Sequence, residues 1–399
     1  MKDSELLTRA VEDAVPRPLA EEKIKNGKSL RIYFGIDPTG TKLHLGHSVP
    51  LLKLKAFADA GHHAIFLIGS YTAMIGDPTG RDVMRQPLTK EEVAKNFETY
   101  KEQAGKILDF SKIEIRYNHE WLDNLSAAES MKIASHFTIQ QMLQRDMFKE
   151  RLKRDEDLSP IEFMYPILQG YDSVILDVDF EIGGNDQLFN MLCGRKLQQR
   201  YKKRDKCVLT TKLIEGSDGR KMSKTYDNCI YITDAPQDMY GKTMRILDKL
   251  IPLYMECCTS MPMDEVAKAE KALKDGKTNP KDLKMRLARE LVTMYHGKEQ
   301  AEHAESQFQT MFKDHGVPDD IQEVKVEKGS LLVDVLLANK LVPSKSEFRR
   351  LVEQKGVHLN DETVTALDAK VGEGLTPGAL AKGVIVRVGK RKFLRIFFA

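Results

Sequence analysis

Long apolar runs are missing from this chain of 399 residues. The longest, such as "AIFLIG" (64–69), are too short to cross a bilayer, so no membrane span is expected. The opening "MKDSELLTRAVEDAVPRP" has neither an apolar core nor a cleavage signature, so a signal peptide is not expected either. Cysteine is scarce. Cys193, Cys207, Cys229, Cys257 and Cys258 form no CxxC pair and are too sparse for a disulfide framework, so they read as reduced thiols of a cytoplasmic protein. An excess of one charge is also lacking: the net charge is +3, and only local clusters can point to a polyanion. There is no internal repeat and no low-complexity tract. What is present is an ordinary soluble composition, 41% apolar and 30% charged, on a chain long enough for two or three domains.

The first half alternates two kinds of segment. "LRIYFGI" (30–36), "HAIFLIGS" (63–70), "KIEIRYN" (112–118), "DVDFEIGG" (177–184) and "CVLTTKLI" (207–214) read as strands. The stretches 48–61, 93–108, 161–176 and 185–200 read as helices between them. This alternation predicts an α/β fold, a Rossmann-like doubly wound parallel sheet. Ligands of such sheets sit at the carboxyl ends of the strands. From residue 226 the pattern turns helical, and from 328 a small α+β segment is expected. In it, "SKSEFRRLVEQKG" (344–356) reads as a helix and "GVIVRVGKRKFLRIFF" (383–398) as a hairpin. The helix puts Phe348, Leu351 and Val352 on one side and Lys345, Arg349 and Arg350 on another. The hairpin carries Arg387, Lys390, Arg391, Lys392 and Arg395 with no acid, a footprint for phosphate backbones. "YKKRDK" (201–206) reads as a further basic loop, a candidate for the acceptor stem of an RNA partner.

Directly after the first strand, "TKLHLGHSVP" (41–50) places His44 and His47 three apart around Gly46. Zinc needs three or four ligands, and no cysteine pair or glutamate supports these two, so no protein-bound metal is expected. Two ordinary surface histidines are a plainer reading. Position favours a third. A strand-to-helix turn gathers free backbone N–H groups and a positive dipole end, both suited to phosphate oxygens. Gly46 lets a flat ligand lie close to the backbone. "SDGRKMSKTYDN" (217–228) then brings Lys221 and Lys224 around Met222 and Ser223. Alone this is a solvated loop; as a clamp it stabilises charge developing on the β- and γ-phosphates. The two stretches on one alternating domain point to a nucleotide more firmly together than apart.

"HLGH" and "KMSKT" resemble the HIGH and KMSKS signatures of class I aminoacyl-tRNA synthetases. "YFGIDPTGTKLHLGH", "IGDPTGR", "YPILQGYD" and "GGNDQ" resemble the successive motifs of the bacterial-type tyrosyl-tRNA synthetases. The segment from 328 is similar to the small RNA-binding module that ends many of them. Leu45 stands for the isoleucine of HIGH, Thr225 for the last serine of KMSKS, Asn185 for a more usual serine and Glu181 for a frequent glutamine.

The resemblance implies a ligase that activates tyrosine with ATP and passes it to tRNA(Tyr). It puts His44 and His47 at the α-phosphate, and Lys221 and Lys224 at the leaving pyrophosphate with Ser223 helping. Gly46, Gly184, Asp186, Gln187 and Met222 would surround the rest of ATP. Tyr33 and Asp172 would meet the phenol hydroxyl. Asp77, Tyr165 and Gln169 would meet the ammonium group with Thr72 in support, and Asn118 the carboxylate. Magnesium would arrive with ATP, held mainly by its phosphates. Lys345, Arg349, Arg350, Lys390, Arg391 and Lys392 would meet RNA. The expected division is a catalytic domain over 1–225, a helical anticodon-binding domain over 226–327 and the RNA module over 328–399. A homodimer is implied, its interface sought between "RYNHEW" and "YPILQ". The rivals are a tryptophanyl-tRNA synthetase, an HxGH nucleotidylyltransferase, and an RNA-binding relative without activity.

Overall fold

The computed structural model describes residues 5–79, 88–222, 226–276, 278–313, 321–360, 362–372, 383–389 and 392–398. The chain falls into two compact units, Met1–Ala301 and Glu302–Ala399.

The first unit is built on a six-stranded sheet of β1 (Val11–Val15), β2 (Arg31–Ile36), β3 (His63–Ile68), β4 (Ile113–Tyr117), β5 (Phe180–Gly184) and β6 (Cys207–Thr211). The order is β1-β6-β5-β2-β3-β4. Every pairing among β2–β6 is parallel, and β1 alone runs antiparallel, against β6. The central strands are mostly apolar because helices cover both faces; Ile32, Ile65, Phe66, Phe180, Val208 and Leu209 are fully buried. The order runs outward from β2 to β4 in one direction and through β5 and β6 in the other. β2 and β5 therefore flank the point where the sheet reverses, the place where such folds open a crevice.

The helices start where their caps allow. The Leu45–Asp59 helix begins three residues before the expected 48, because His44 itself caps it. The Lys90–Ala104 helix begins at a Thr89–Glu92 capping box rather than at 93. The Pro160–Leu176 helix ends where Asp177 turns left-handed at φ 47°, which delays β5 to Phe180. A 3₁₀ turn at Asn185–Gln187 then leads into the Leu188–Lys202 helix. These last two helices touch backbone to backbone: a Cβ on Gly170 would lie 2.9 Å from the Gly194 nitrogen. The basic stretch 201–206 closes the Leu188–Lys202 helix and continues as a loop, but its last residue, Lys206, is fully buried and pairs with Glu181 of β5.

Helices follow over Pro236–Thr243, Ile251–Cys258, Met263–Lys274, Pro280–His296 and Lys298–Lys313. All five cysteines are free and buried. No helix among the described residues is long and apolar enough to cross a membrane.

The second unit carries β7 (Gln322–Val326), β8 (Val357–Leu359), β9 (Glu362–Thr363), β10 (Val384–Val388) and β11 (Lys392–Phe398). Their order is β7-β11-β10-β8-β9. The expected hairpin is β10–β11, with Val384 opposite Ile396. β7 falls within 226–327, a stretch expected to be helical, yet it pairs in parallel with β11 and so belongs to this sheet. The Lys345–Glu353 helix starts at Ser344, whose hydroxyl accepts from the Glu347 N–H at 3.2 Å, and buries Phe348 and Val352 against the sheet's core.

Candidate active site

A cavity of about 680 Å³ opens at the carboxyl ends of β2 and β5. His44, Gly46 and His47 form one side of it. The His44 backbone is extended and leaves the helix N-terminus facing the opening. His44 Nδ1 accepts from the Gly46 N–H at 3.1 Å, and His47 Nδ1 accepts from the His44 N–H at 3.2 Å. Two histidines thus make the reciprocal cap more often made by Ser and Glu. A neutral imidazole that accepts at Nδ1 carries its proton at Nε2, so the network sets both rings as Nε2–H donors. The rings stack with centroids 3.8 Å apart. Gly46 is required for this: a Cβ there would come within 2.9 Å of the His44 ring.

Lys221 and Met222 line the same cavity, so the described part of the second motif reaches the first. Ser223 and Lys224 lie outside the described residues. Gly184 and Asp186 follow β5; a Cβ on Gly184 would fall 2.6 Å from Asp186 Oδ1. Burial raises the Asp186 pKa, and Lys221 opposes the shift. Gln187 borders the same cavity, and its amide donates to Asp77 Oδ2 at 2.8 Å.

The deeper end is a network of buried polar groups. Asp172, 2% exposed, accepts from Trp121 Nε1 at 2.9 Å and Asn118 Nδ2 at 3.3 Å. Burial still pushes its carboxyl well above the usual carboxylate range. Thr72 Oγ1 donates to Asp37 Oδ1 at 2.7 Å, and Tyr165 donates to Asp37 Oδ2 at 2.8 Å. Asp37 had no assigned role. It sits one residue past β2, and its approach depends on Gly69, where a Cβ would meet Asp37 Oδ1 at 1.8 Å. Gln169 donates to Glu181 Oε1 at 3.2 Å and accepts from Asn190 at 3.0 Å. Tyr33, 1% exposed, shares a 3.0 Å hydrogen bond with Ser173 Oγ. Burial, then Glu181 and Asp172, hold the Tyr33 hydroxyl well above its ordinary pKa. Asp37, Asp77, Asp172 and Glu181 all line this end, which suits a bound ammonium group.

Every nominated ATP- and tyrosine-binding residue that the structure describes therefore borders one cavity. Sequence reasoning missed Asp37, Trp121, Ser173 and Lys206. Only Asp37 carried a signal, as an acid at the carboxyl end of a buried strand inside a quoted motif.

In the second unit, Lys345, Arg349, Arg350 and Lys392 are all exposed. Lys345 pairs with Asp334 at 3.2 Å, Arg350 with Glu347 at 2.6 Å, and Lys392 Nζ donates to the Leu341 carbonyl at 2.6 Å. The two exposed ion pairs, Lys345–Asp334 and Arg350–Glu347, are of the kind worth little in stability. Lys390 and Arg391 lie outside the described residues.

The family model described as tRNA synthetases class I (W and Y) matches residues 25–313. That of the tyrosine–tRNA ligase SYY-like C-terminal domain matches residues 312–396. The tyrosine–tRNA ligase of Thermotoga maritima is 42% identical over 395 residues, 98% of this chain and 96% of that protein. Tyrosine–tRNA ligase 2 of Pseudoalteromonas translucida is 43% identical over 398 residues, 98% of each. Among solved structures, tyrosyl-tRNA synthetase of Archaeoglobus fulgidus, complexed with L-tyrosine, superposes with a TM-score of 0.62 at 25% identity. It covers 76% of this chain and 100% of that one. A C-terminally truncated mitochondrial tyrosyl-tRNA synthetase of Aspergillus nidulans shares the fold with a TM-score of 0.64 at 24% identity. It covers 76% of this chain and 91% of that one.

Proposed function

The chain belongs to the class I tRNA synthetases (W and Y) and acts as a tyrosine–tRNA ligase, and on that premise we propose how its residues divide the work. ATP enters over His44 and His47 as its magnesium complex. The tyrosine carboxylate, already charged, attacks the α-phosphorus in line; the new bond is carboxylate oxygen to phosphorus, and the bond to pyrophosphate breaks. No side chain has to act as nucleophile or base, so catalysis is positioning and charge stabilisation. The two Nε2–H groups donate to the α-phosphate oxygens. Lys221 and Lys224, with Ser223, neutralise the leaving pyrophosphate. Asp186 accepts from a ribose hydroxyl, Gly46 and Gly184 give the nucleotide room, and Met222 packs near adenine. Gln187 joins the two halves through Asp77. The ammonium group meets Asp77, Tyr165 and Gln169, with Thr72 holding Asp37 in place beside them. The phenol meets Tyr33 and Asp172. A ribose hydroxyl of tRNA then attacks the acyl carbon, and AMP leaves.

A single observation carries this reading: the histidine pair, Lys221 and a carboxylate-rich pocket share one cavity at the sheet's reversal point. Tyrosine-dependent exchange of pyrophosphate into ATP tests it, and stimulation by another amino acid instead would end it.

RNA contact falls to the helical stretch 226–327 for the anticodon and to the segment 328–399, with Lys345, Arg349, Arg350, Lys390, Arg391 and Lys392 on phosphates. Arg349→Glu is expected to raise KM for tRNA about fivefold or more, increasingly at low salt, with pyrophosphate exchange unchanged. Unaltered tRNA charging would remove this surface from the reading. The enzyme works in the cytoplasm as a homodimer. Four large apolar side chains support the dimer: Met131, Ile139, Leu152 and Ile161 are 73%, 60%, 50% and 43% exposed, all within the connection nominated for the interface. Ile139→Lys is expected to weaken self-association at least about tenfold by light scattering. A dimer that withstands this change does not use that face.

A further inference from the structure

On the reading that the substrate's phenol meets Tyr33 and Asp172, we propose that Lys206, Glu181 and Ser173 are positioning residues. They fix which way the Tyr33 hydroxyl points its proton, and so set the preference for tyrosine over phenylalanine.

Tyr33 of β2 and Glu181 of β5 are register partners on adjacent strands. Lys206 stands one residue before β6 and Ser173 lies on the Pro160–Leu176 helix, so four separate elements converge on one point. Lys206 and Glu181 are 0% and 2% exposed and form an ion pair. Lys206 Nζ also donates to Ser173 Oγ at 2.5 Å and lies 5.6 Å from the centre of the Tyr33 ring. Space for the pair is made by Gly194, where a Cβ would stand 2.6 Å from Ser173 Oγ and 2.7 Å from Lys206 Nζ. Tyr33 and Glu181 border the cavity, while Lys206 and Ser173 stand behind them, and a buried ion pair is a costly way to join strands when apolar residues serve as well.

Its polarity gives it a use. Ser173 Oγ accepts from Lys206, and its single proton has two acceptors in reach, Tyr33 Oη at 3.0 Å and Glu181 Oε2 at 3.2 Å. Lys206 balances the Glu181 charge, so the proton can turn to Tyr33. Glu181 also accepts from the Tyr33 hydroxyl; with the Glu181 charge held by Lys206, the Tyr33 proton can turn to the substrate oxygen, whose own proton goes to Asp172. Donation runs in one direction from Lys206 through Ser173, Tyr33 and the phenol to Asp172. Without the Lys206 charge, Glu181 draws the Ser173 proton, Tyr33 must donate to Ser173, and the phenol oxygen loses its donor. Phenylalanine, with no oxygen there, is indifferent to the reversal.

The test is pyrophosphate exchange with tyrosine and with phenylalanine in the full-length enzyme. Ser173→Ala and Lys206→Met are each expected to lower the tyrosine-to-phenylalanine ratio of kcat/KM about tenfold, through KM for tyrosine with kcat nearly kept. Adding Glu181→Gln to Lys206→Met supplies an amide donor for Ser173 and is expected to recover most of the ratio, a rescue that a purely structural pair would not show. Tyr33→Phe is the control. If it lowers the ratio while Ser173→Ala leaves it within about twofold, or if the double variant shows no recovery over Lys206→Met, the proposal falls and the Tyr33 reading stands. If Tyr33→Phe leaves the ratio unchanged, both fall. Should Lys206→Met fail to fold, Ser173→Ala decides alone.

Discussion

Replacing His44 with asparagine is expected to lower kcat for tyrosine-dependent pyrophosphate exchange by about a hundredfold or more, while thermal stability and KM for tyrosine barely move. The substitution separates the two jobs of this side chain. As a cap, His44 supplies an Nδ1 acceptor to the Gly46 N–H. Asparagine is among the best N-cap residues, and its carbonyl can replace that acceptor. As a donor, His44 extends an Nε2–H that the shorter amide cannot bring to the same place. Alanine removes both functions and costs about 1 kcal/mol of helix stability besides. His47→Ala, which also gives up the acceptor for the His44 N–H, should show a loss of similar size, and the double variant less than the product, since both donors serve the same phosphate. An asparagine variant that keeps more than a tenth of the wild-type rate would remove the imidazoles from the reaction and leave them as caps.

Asp172→Asn is expected to cost at least about a thousandfold in kcat/KM for tyrosine. The carboxylate holds three positions at once: it accepts from Trp121, from Asn118 and, on the present reading, from the phenol. An amide keeps one acceptor and turns an NH₂ group onto a donor, either Asn118 Nδ2 or the phenol hydroxyl. A charge-assisted bond is lost and a buried donor is left unpaired, and together these amount to about 4 kcal/mol. The same residue gives the pH dependence. Burial raises its pKa, so it takes up a proton at a higher pH than an ordinary aspartate. Tyrosine needs it ionised. In the wild-type enzyme kcat/KM therefore falls as pH drops through that raised value, approaching tenfold per pH unit below it. The limb should be missing from the residual activity of Asp172→Asn. Its persistence there would assign the titration to another group.

β2 to β6 all fall within the expected stretches; β2, β3 and β6 were legible as mainly apolar runs covered on both sides, and β4, at the sheet edge, by the alternation in "IEIRY". β1 and β7 were not, for "VEDAV" and "QEVKV" are sheet-edge strands whose polar residues face outward and break the pattern. The site was legible where chemistry clusters in sequence, as at His44 and His47. It was illegible where partners are distant: Lys206 looks like the end of a basic loop until Glu181, 25 positions away, is brought against it. Asp37 and Ser173 are likewise single polar residues whose meaning comes from what the fold sets beside them.

The contact between Gly170 and Gly194 turns the Pro160–Leu176 helix into a ruler. The two helix backbones approach so closely there that a Cβ on Gly170 would lie 2.9 Å from the Gly194 nitrogen, which fixes the spacing between the helices. On the reading proposed above, Gln169 marks one end of the scale and Asp172 the other, three residues apart, about 4.5 Å at the standard rise per residue. An amino acid with an extra methylene between backbone and ring overshoots the far mark, and one with its hydroxyl in the meta position misses it sideways. Size and substitution pattern are gauged by a helix that need not move to measure them.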